Sequence, residues 1–300
     1  MTVEDVKRLL ERNSNDLAFV LGNGINLHYR NDGISWKDLL LDLWKNHSTR
    51  PLSSIPAGIS FTEFYDALEI ENAANRNFSS VLQKEVQLKM SDWRANSKQN
   101  TILDKIKAWE APLLTTNFDK LIPKTMNLDF RKVLGSSFTD YYPWSNYYSD
   151  QDLDDPTKGF GVWYMNGMAK YHRSIKLGLS QYMGNVERAR KMIHKMPENM
   201  GFQGKNQAYW PGFSTWLHIL FNKSLVIVGL GLDETEVFLR WLLIERAKYF
   251  RRFPERKHTG YYIGKKSDKS EDGKKFFLNS VGFEYIELDE YVDVYNKIWQ

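Results

Sequence analysis

The apolar run Leu17-Ala18-Phe19-Val20-Leu21 breaks directly into Gly22-Asn23-Gly24-Ile25-Asn26. Such a run reads as a strand buried on both faces that ends in a sharp turn. Two glycines spaced by one residue allow backbone N–H groups to come close to a phosphate, so the turn points to a nucleotide site. The third glycine of the dinucleotide fingerprint is absent, because Ile25-Asn26-Leu27 stands in its place. Taken alone, the turn is also compatible with a tight strand-to-loop connection.

The same grammar recurs along the chain. Ala111 to Thr115 is a second apolar run, ending in Thr116-Asn117-Phe118-Asp119, and Phe160 to Met165 is a third, ending in Asn166-Gly167. Ser224-Leu225-Val226-Ile227-Val228 is the strongest, β-branched and closed by Gly229-Leu230-Gly231. Gly260 to Gly264 and Phe283 to Leu288 read as further short strands. Between them lie helical periodicities. Residues 3 to 13 place Val6, Leu9 and Leu10 on one side, Ser35 caps a helix carrying Trp36, Leu39, Leu40, Leu43 and Trp44, and another helix is expected over Glu234 to Tyr249.

From Pro51 to Lys107 the pattern is mostly helical, over Phe61 to Ile70, Val81 to Met90 and Ile102 to Trp109, with Pro51 to Ser60 as linker. This stretch reads as a helical insertion or subdomain, about residues 45–108, whose loops could form a lid. Strands alternating with helices imply an α/β fold, a mostly parallel sheet with helices on both faces. In such sheets the residues at the carboxyl ends of the strands converge on one crevice. Gly22 to Asn26, Asn117, Asp119, Asn166 and Gly229 to Asp233 all occupy such ends.

Composition narrows the chemistry. The chain has no cysteine, which excludes disulfides, Cys-ligated zinc, Cys-held iron–sulfur clusters and a thiol nucleophile, and suits a reducing compartment. Lys plus Arg exceeds Asp plus Glu by 41 to 37, too small a bias to argue for nucleic acid. No apolar run approaches the roughly 18 residues of a membrane span, and Met1-Thr2-Val3-Glu4-Asp5 lacks the features of a signal peptide. A cytoplasmic location is expected.

With Gly22-Asn23-Gly24-Ile25-Asn26, Thr115-Thr116-Asn117-Phe118-Asp119 and Val228-Gly229-Leu230-Gly231-Leu232-Asp233 in this order, the chain resembles sirtuin-like proteins, in particular the sirtuin-like domains of bacterial antiphage defence systems. The resemblance runs from about Leu17 to the C-terminal strand. It implies a single Rossmann-like domain over residues 1–300 that binds NAD and cleaves it into nicotinamide and ADP-ribose, without a metal. Protein-deacylating sirtuins commonly carry a four-cysteine zinc ribbon, so the missing cysteines disfavour a deacylase.

By the same resemblance Gly22, Asn23, Gly24 and Asn26 would line the pyrophosphate and the nearby ribose. Asn117 would take the catalytic asparagine position, Asp119 would hold the nicotinamide carboxamide, and Gly229 with Leu230 would approach the adenosine ribose. The partners it implies are NAD or an ADP-ribose derivative, with a further copy of the chain or a defence-system protein as regulator.

The chain departs from the pattern at Tyr164-Met165-Asn166-Gly167, where the family usually has His-Gly and the histidine acts as general base. Asn166 cannot take up a proton near neutral pH and can only orient a hydroxyl or a water. Losing a general base commonly costs about 100- to 10,000-fold. The alternative to an active glycohydrolase is therefore a catalytically impaired module that holds NAD or ADP-ribose. His172 is the nearest replacement in sequence, six residues on, a spacing that predicts a place outside the pocket.

Other features have plainer readings. Asn117 could cap a helix beginning near Phe118, and Asp119 could be a first-turn acid. His28, His47, His194, His218 and His258 show no metal-ligand spacing, and Trp210, Trp216 and Trp241 read as core or interface anchors rather than base-stacking platforms. Arg246 to His258 is basic and interleaved with Tyr249, Phe250 and Phe253, which suits a solvated helix end better than a nucleic-acid contact. Lys265 to Lys275 reads as an exposed loop.

Overall fold

All five residues of Leu17–Leu21 (β1) are buried, and their side chains divide by parity between two separate cores. Leu17, Phe19 and Leu21 join one and Ala18 and Val20 the other. A strand with period-two side chains can be apolar throughout only when both faces of its sheet are covered. The computed structural model of the chain describes residues 1–29, 33–91, 93, 97–133, 142–194, 205, 210–267 and 270–300. In chain order, the strands after β1 are Leu113–Thr115 (β2), Asp129–Lys132 (β3), Asn146–Ser149 (β4), Val162–Tyr164 (β5), Ser224–Val228 (β6), Gly260–Lys265 (β7) and Phe283–Leu288 (β8).

They form one sheet in the order β3-β4-β5-β2-β1-β6-β7-β8. The six strands from β5 to β8 in that order are parallel, while β4 runs antiparallel to both β5 and β3. Without β3 and β4, the parallel strands stand third, second, first, fourth, fifth and sixth, which is the doubly wound Rossmann order. The chain is thus a mostly parallel, Rossmann-like α/β fold.

One face is covered by Val3–Asn13 (α1), Trp36–His47 (α3), Phe61–Glu71 (α4), Phe78–Lys89 (α5), Ser97–Ala108 (α6) and Tyr291–Tyr295 (α12), which share a core with that face of the sheet. The other carries Leu179–His194 (α8), Trp216–Asn222 (α9), Val237–Arg252 (α10) and Asp272–Ser280 (α11). Short helices at Gly24–Tyr29 (α2) and Leu121–Thr125 (α7) follow β1 and β2. The helical stretch between β1 and β2 is the crossover connecting them. Its helices α3 and α4 start where Ser35 and Ser60 accept the N–H groups of Asp38 and Glu63. Among the described residues, no helix is long and apolar enough to cross a membrane.

Several elements differ from the sequence expectation. The helix expected from Glu234 begins at Val237, because Asp233 Oδ1 takes the Thr235 N–H and hydroxyl (2.9 and 2.5 Å) and Leu232 adopts φ 48, closing a turn first. The Lys265-to-Lys275 loop gives way to α11 at Asp272, whose Leu278 is fully buried against the sheet; Asp268 and Lys269 lie outside the described residues. Strands β3 and β4 carry too many polar residues to stand out, and they are held by pairing and by Tyr147, which stacks on Trp163 at 4.6 Å. Arg246 belongs to no solvated basic face. It is buried, whereas Arg251 and Arg252 beyond it are exposed.

Candidate functional site

Connections leave β1 and β6 toward opposite neighbours, so a crevice opens beyond their carboxyl ends where the strand order reverses. The two turns that line it are locked together. Gly22 N–H donates to Val228 O at 3.0 Å and Gly24 N–H to Gly229 O at 2.7 Å. A Cβ on Gly22 would lie 2.7 Å from the Leu230 Cα, and one on Gly24 would lie 2.8 Å from the Gly229 Cα. The spaced glycines are therefore required for backbone-to-backbone approach, and their N–H groups are engaged by the neighbouring strand end.

This packing carries a stability prediction. Gly22→Ala forces backbone apart and should cost at least about 1–3 kcal/mol in urea unfolding. Gly184→Ala, inside α8 with nothing near its added Cβ, should gain about 0.5–1 kcal/mol. Equal effects at the two positions would refute the close-approach account.

Beyond the turns lies a cavity of about 300 Å³, at the lower end of the range for small-molecule sites. Asn23, Gly24, Asn117, Asp119, Asn166, Gly229 and Leu230 all line it; Gly22 and Asn26 do not. Trp36, Phe61, Met90 and Trp93 from the β1–β2 connection form an apolar wall, and Tyr182, Asp233, Thr235, Glu236 and Phe238 come from the α8 and α10 side. A second recess, about 470 Å³, adjoins it over the ends of β7 and β8. The two share Gly24 and Gly229 to Gly231, and the second is lined by Tyr262, Tyr285, Tyr291 and Tyr295 with Lys265, Lys266 and Lys274.

Asn26 is fully enclosed and works as a bracket. Its amide nitrogen donates to Asn23 Oδ1 at 3.0 Å and to Asp119 Oδ2 at 3.4 Å, while its oxygen accepts from Gln99 at 3.1 Å. Asn23 in turn donates to the Ile34 carbonyl at 2.8 Å. Asp119 Oδ1 accepts the Leu121 N–H at 2.8 Å in a turn that leads into α7; that helix starts at Leu121 rather than near Phe118, so Asn117 does not cap it and Asp119 precedes its first turn. A polar network bridging β1, β2 and α6 holds the site's floor.

Asn117 is placed by Thr115, whose hydroxyl donates to Leu21 O at 3.0 Å and accepts the Asn117 N–H at 3.1 Å. Among the described residues, its side-chain amide makes one long 3.4 Å contact, to Gly22 O, and that of Asn166 one of 3.5 Å, to Thr116 O. Both amides are weakly held and border the cavity, which leaves them able to turn toward a ligand. Burial pushes the Tyr182 phenol well above its ordinary pKa. Burial and then the nearby Asp233 charge push Glu236 up to about 7.

None of the six histidines lines the cavity. His172 meets the Ser80 hydroxyl at 3.2 Å, in line with its expected place outside the pocket. His47 pairs with Glu85, His194 with Glu245 and His258 with Asp16, while His218 accepts the Trp210 indole N–H and His28 stacks on Tyr295. Trp210 and Trp216 are buried core residues and Trp241 packs at the margin. No group of three or more His, Asp or Glu among the described residues could hold a metal ion.

The cavity residues that the strand-end pattern does not reveal are the aromatic wall, Tyr182 and Glu236. The wall follows helical core spacing and resembles any buried face. Glu236 carries a faint signal, an acid just past a strand-end glycine turn. Compared with protein-family models and with curated proteins, the chain matches none.

Proposed function

We propose that this chain binds NAD across the crevice and hydrolyses it to nicotinamide and ADP-ribose, as a sirtuin-like NAD glycohydrolase of a bacterial antiphage defence system. One observation carries the reading: Asn23, Asn117, Asn166 and Gly229, from the ends of four different parallel strands, border a single cavity at the reversal of strand order. That is where doubly wound sheets take nucleotides. The nicotinamide ribose lies in the amide-lined cavity beneath the aromatic wall. The adenosine half extends past the glycine turns into the tyrosine- and lysine-lined recess.

The donor set suits the reaction. Cleaving the bond to a positively charged nicotinamide expels a neutral leaving group and develops positive charge on the ribose, so positioning and control of water can supply much of the acceleration. Amide side chains can orient a hydroxyl or a water without a metal. An aromatic wall limits access of bulk solvent.

A second reading, a module that holds NAD or ADP-ribose without turnover, is favoured by the amide at Asn166. Titrating the full chain with NAD and with ADP-ribose by calorimetry, and following nicotinamide release by chromatography, separates the two. Heat of binding with nicotinamide release is the expected result. Binding without release leaves the module, and no affinity for either compound removes both readings.

A further inference from the structure

Hydrolysis in this cleft needs a group that accepts a proton, and the position after β5 offers only an amide. Among the described residues, the carboxylates bordering the cavity are Asp119, Asp233 and Glu236. Asp119 receives the Leu121 N–H and the Asn26 amide, and Asp233 receives the Thr235 N–H and hydroxyl. Both are occupied in holding turns. Glu236 differs: among the described residues, no donor hydrogen-bonds its carboxylate, although the side chain is half-buried.

We propose that Glu236 is the general base that takes the proton of the attacking water, an inference that rests on the NAD-hydrolysis reading above. Its backbone is fixed at the head of α10, where Glu236 N–H donates to Asp233 O at 3.2 Å and Glu236 O accepts the Arg240 N–H at 3.0 Å. Glu236 thus lines the same cavity that Asn117 and Asn166 border from the opposite strands. In the step, the water oxygen bonds to C1′ of the ribose, and the C1′–N bond breaks with its electron pair passing to the nicotinamide ring nitrogen. The water proton moves to the Glu236 carboxylate, which later loses it to solvent.

The groups around Glu236 suit that task. Burial, and after it the Asp233 charge, disfavours its charged form, which brings its pKa to about 7 and makes it a usable base near neutral pH. Tyr182, facing it from α8, stays a neutral phenol. Arg240, one turn along α10, sends its guanidinium to the Leu232 carbonyl and over the Phe277 ring. Among the described residues, no cation forms an ion pair with Glu236 that would hold it permanently ionised.

The test measures nicotinamide release from NAD between pH 5.5 and 9, with NAD affinity by calorimetry, for the wild type, Glu236→Gln, Asn166→His and the double variant. Wild-type release should rise with pH through about 7, because a protonated Glu236 cannot accept a proton. Glu236→Gln should bind NAD within a few-fold of wild type, release nicotinamide about 100-fold more slowly and lose that pH limb. The double variant should recover at least about 10-fold of the loss, since histidine offers a base from the other side of the cavity.

Full activity with an unchanged pH limb in Glu236→Gln overturns the assignment, and so does wild-type binding without any release. Absence of NAD binding by the wild type instead removes the functional reading beneath it. If Glu236→Gln fails to fold, Glu236→Asp decides the matter. Withdrawing the carboxylate by one methylene should slow release while keeping a pH limb, and an unaltered rate would count against the proposal.

Discussion

Replacing Asn117 by alanine should slow nicotinamide release from NAD by at least about 100-fold while leaving the fold nearly as stable as before. The rate effect follows from the loss of a preorganised polar group beside the reacting ribose, where one such group is commonly worth 100- to 1000-fold. The small stability effect follows from geometry. Among the described residues the Asn117 amide makes a single long contact, 3.4 Å to Gly22 O, and its backbone is held independently through Thr115, so truncation should cost no more than about 1 kcal/mol. Parallel measurements of release and urea unfolding check both halves. An active Asn117→Ala would exclude Asn117 from the chemistry, and an unfolded one would give it a structural role.

Arg246→Met should be the most destabilising of the substitutions considered. The guanidinium is buried and donates to four carbonyls: Leu220 O at 2.8 Å, Lys223 O at 3.1 Å, His258 O at 3.0 Å and Thr259 O at 3.2 Å. These carbonyls belong to the end of α9 and to the chain entering β6 and β7, so one side chain ties a helix end to the starts of two central strands. Its ring-facing side lies over Phe250 at 4.5 Å. Burial pulls its pKa down, to about 9, which leaves it charged at neutral pH. Methionine fills similar space but leaves the acceptors without a donor, at about 1–3 kcal/mol for a single buried group.

A total loss of about 3–5 kcal/mol is expected, read as a thermal midpoint lowered by roughly 10 °C. Arg246→Lys should recover part of it, because an ammonium can reach some but not all of the four acceptors. A midpoint within about 2 °C of wild type in Arg246→Met would show that water replaces the guanidinium. Since Arg246 sits at the opposite ends of the strands from the crevice, NAD affinity per folded molecule should be unaltered.

These two residues differ in how far the sequence exposes them. Asn117 is conspicuous, a polar residue directly after an apolar strand, and its place follows from the strand it terminates. Arg246 sits in a basic stretch that continues with Arg251, Arg252 and Arg256, and nothing local distinguishes the buried cation from the exposed Arg251 and Arg252. Asn26 shows the same limit in the site itself. Its position next to the glycine turn suggests contact with a ligand, yet the chain packs Gln99 and Asp119 against it and makes it a bracket. Glu236 is overlooked because its character comes from enclosure by α8 and Asp233.

Local chemistry in the sequence was sufficient for the parallel strands and their turns. β1, β6 and β8 have the bounds that their apolar and β-branched runs predict, and Gly22 and Gly229 mark where two of them stop. Burial on both faces writes a continuous apolar signal, and a strand end writes a glycine or a small polar residue. The tertiary structure alone decided the order of strands, the pairing of β3 with β4, the engagement of the Gly22 and Gly24 N–H groups by β6, and the difference between a bordering and a buried asparagine. Each depends on which distant segment supplies the partner, and a partner's distance along the chain leaves no periodicity to read.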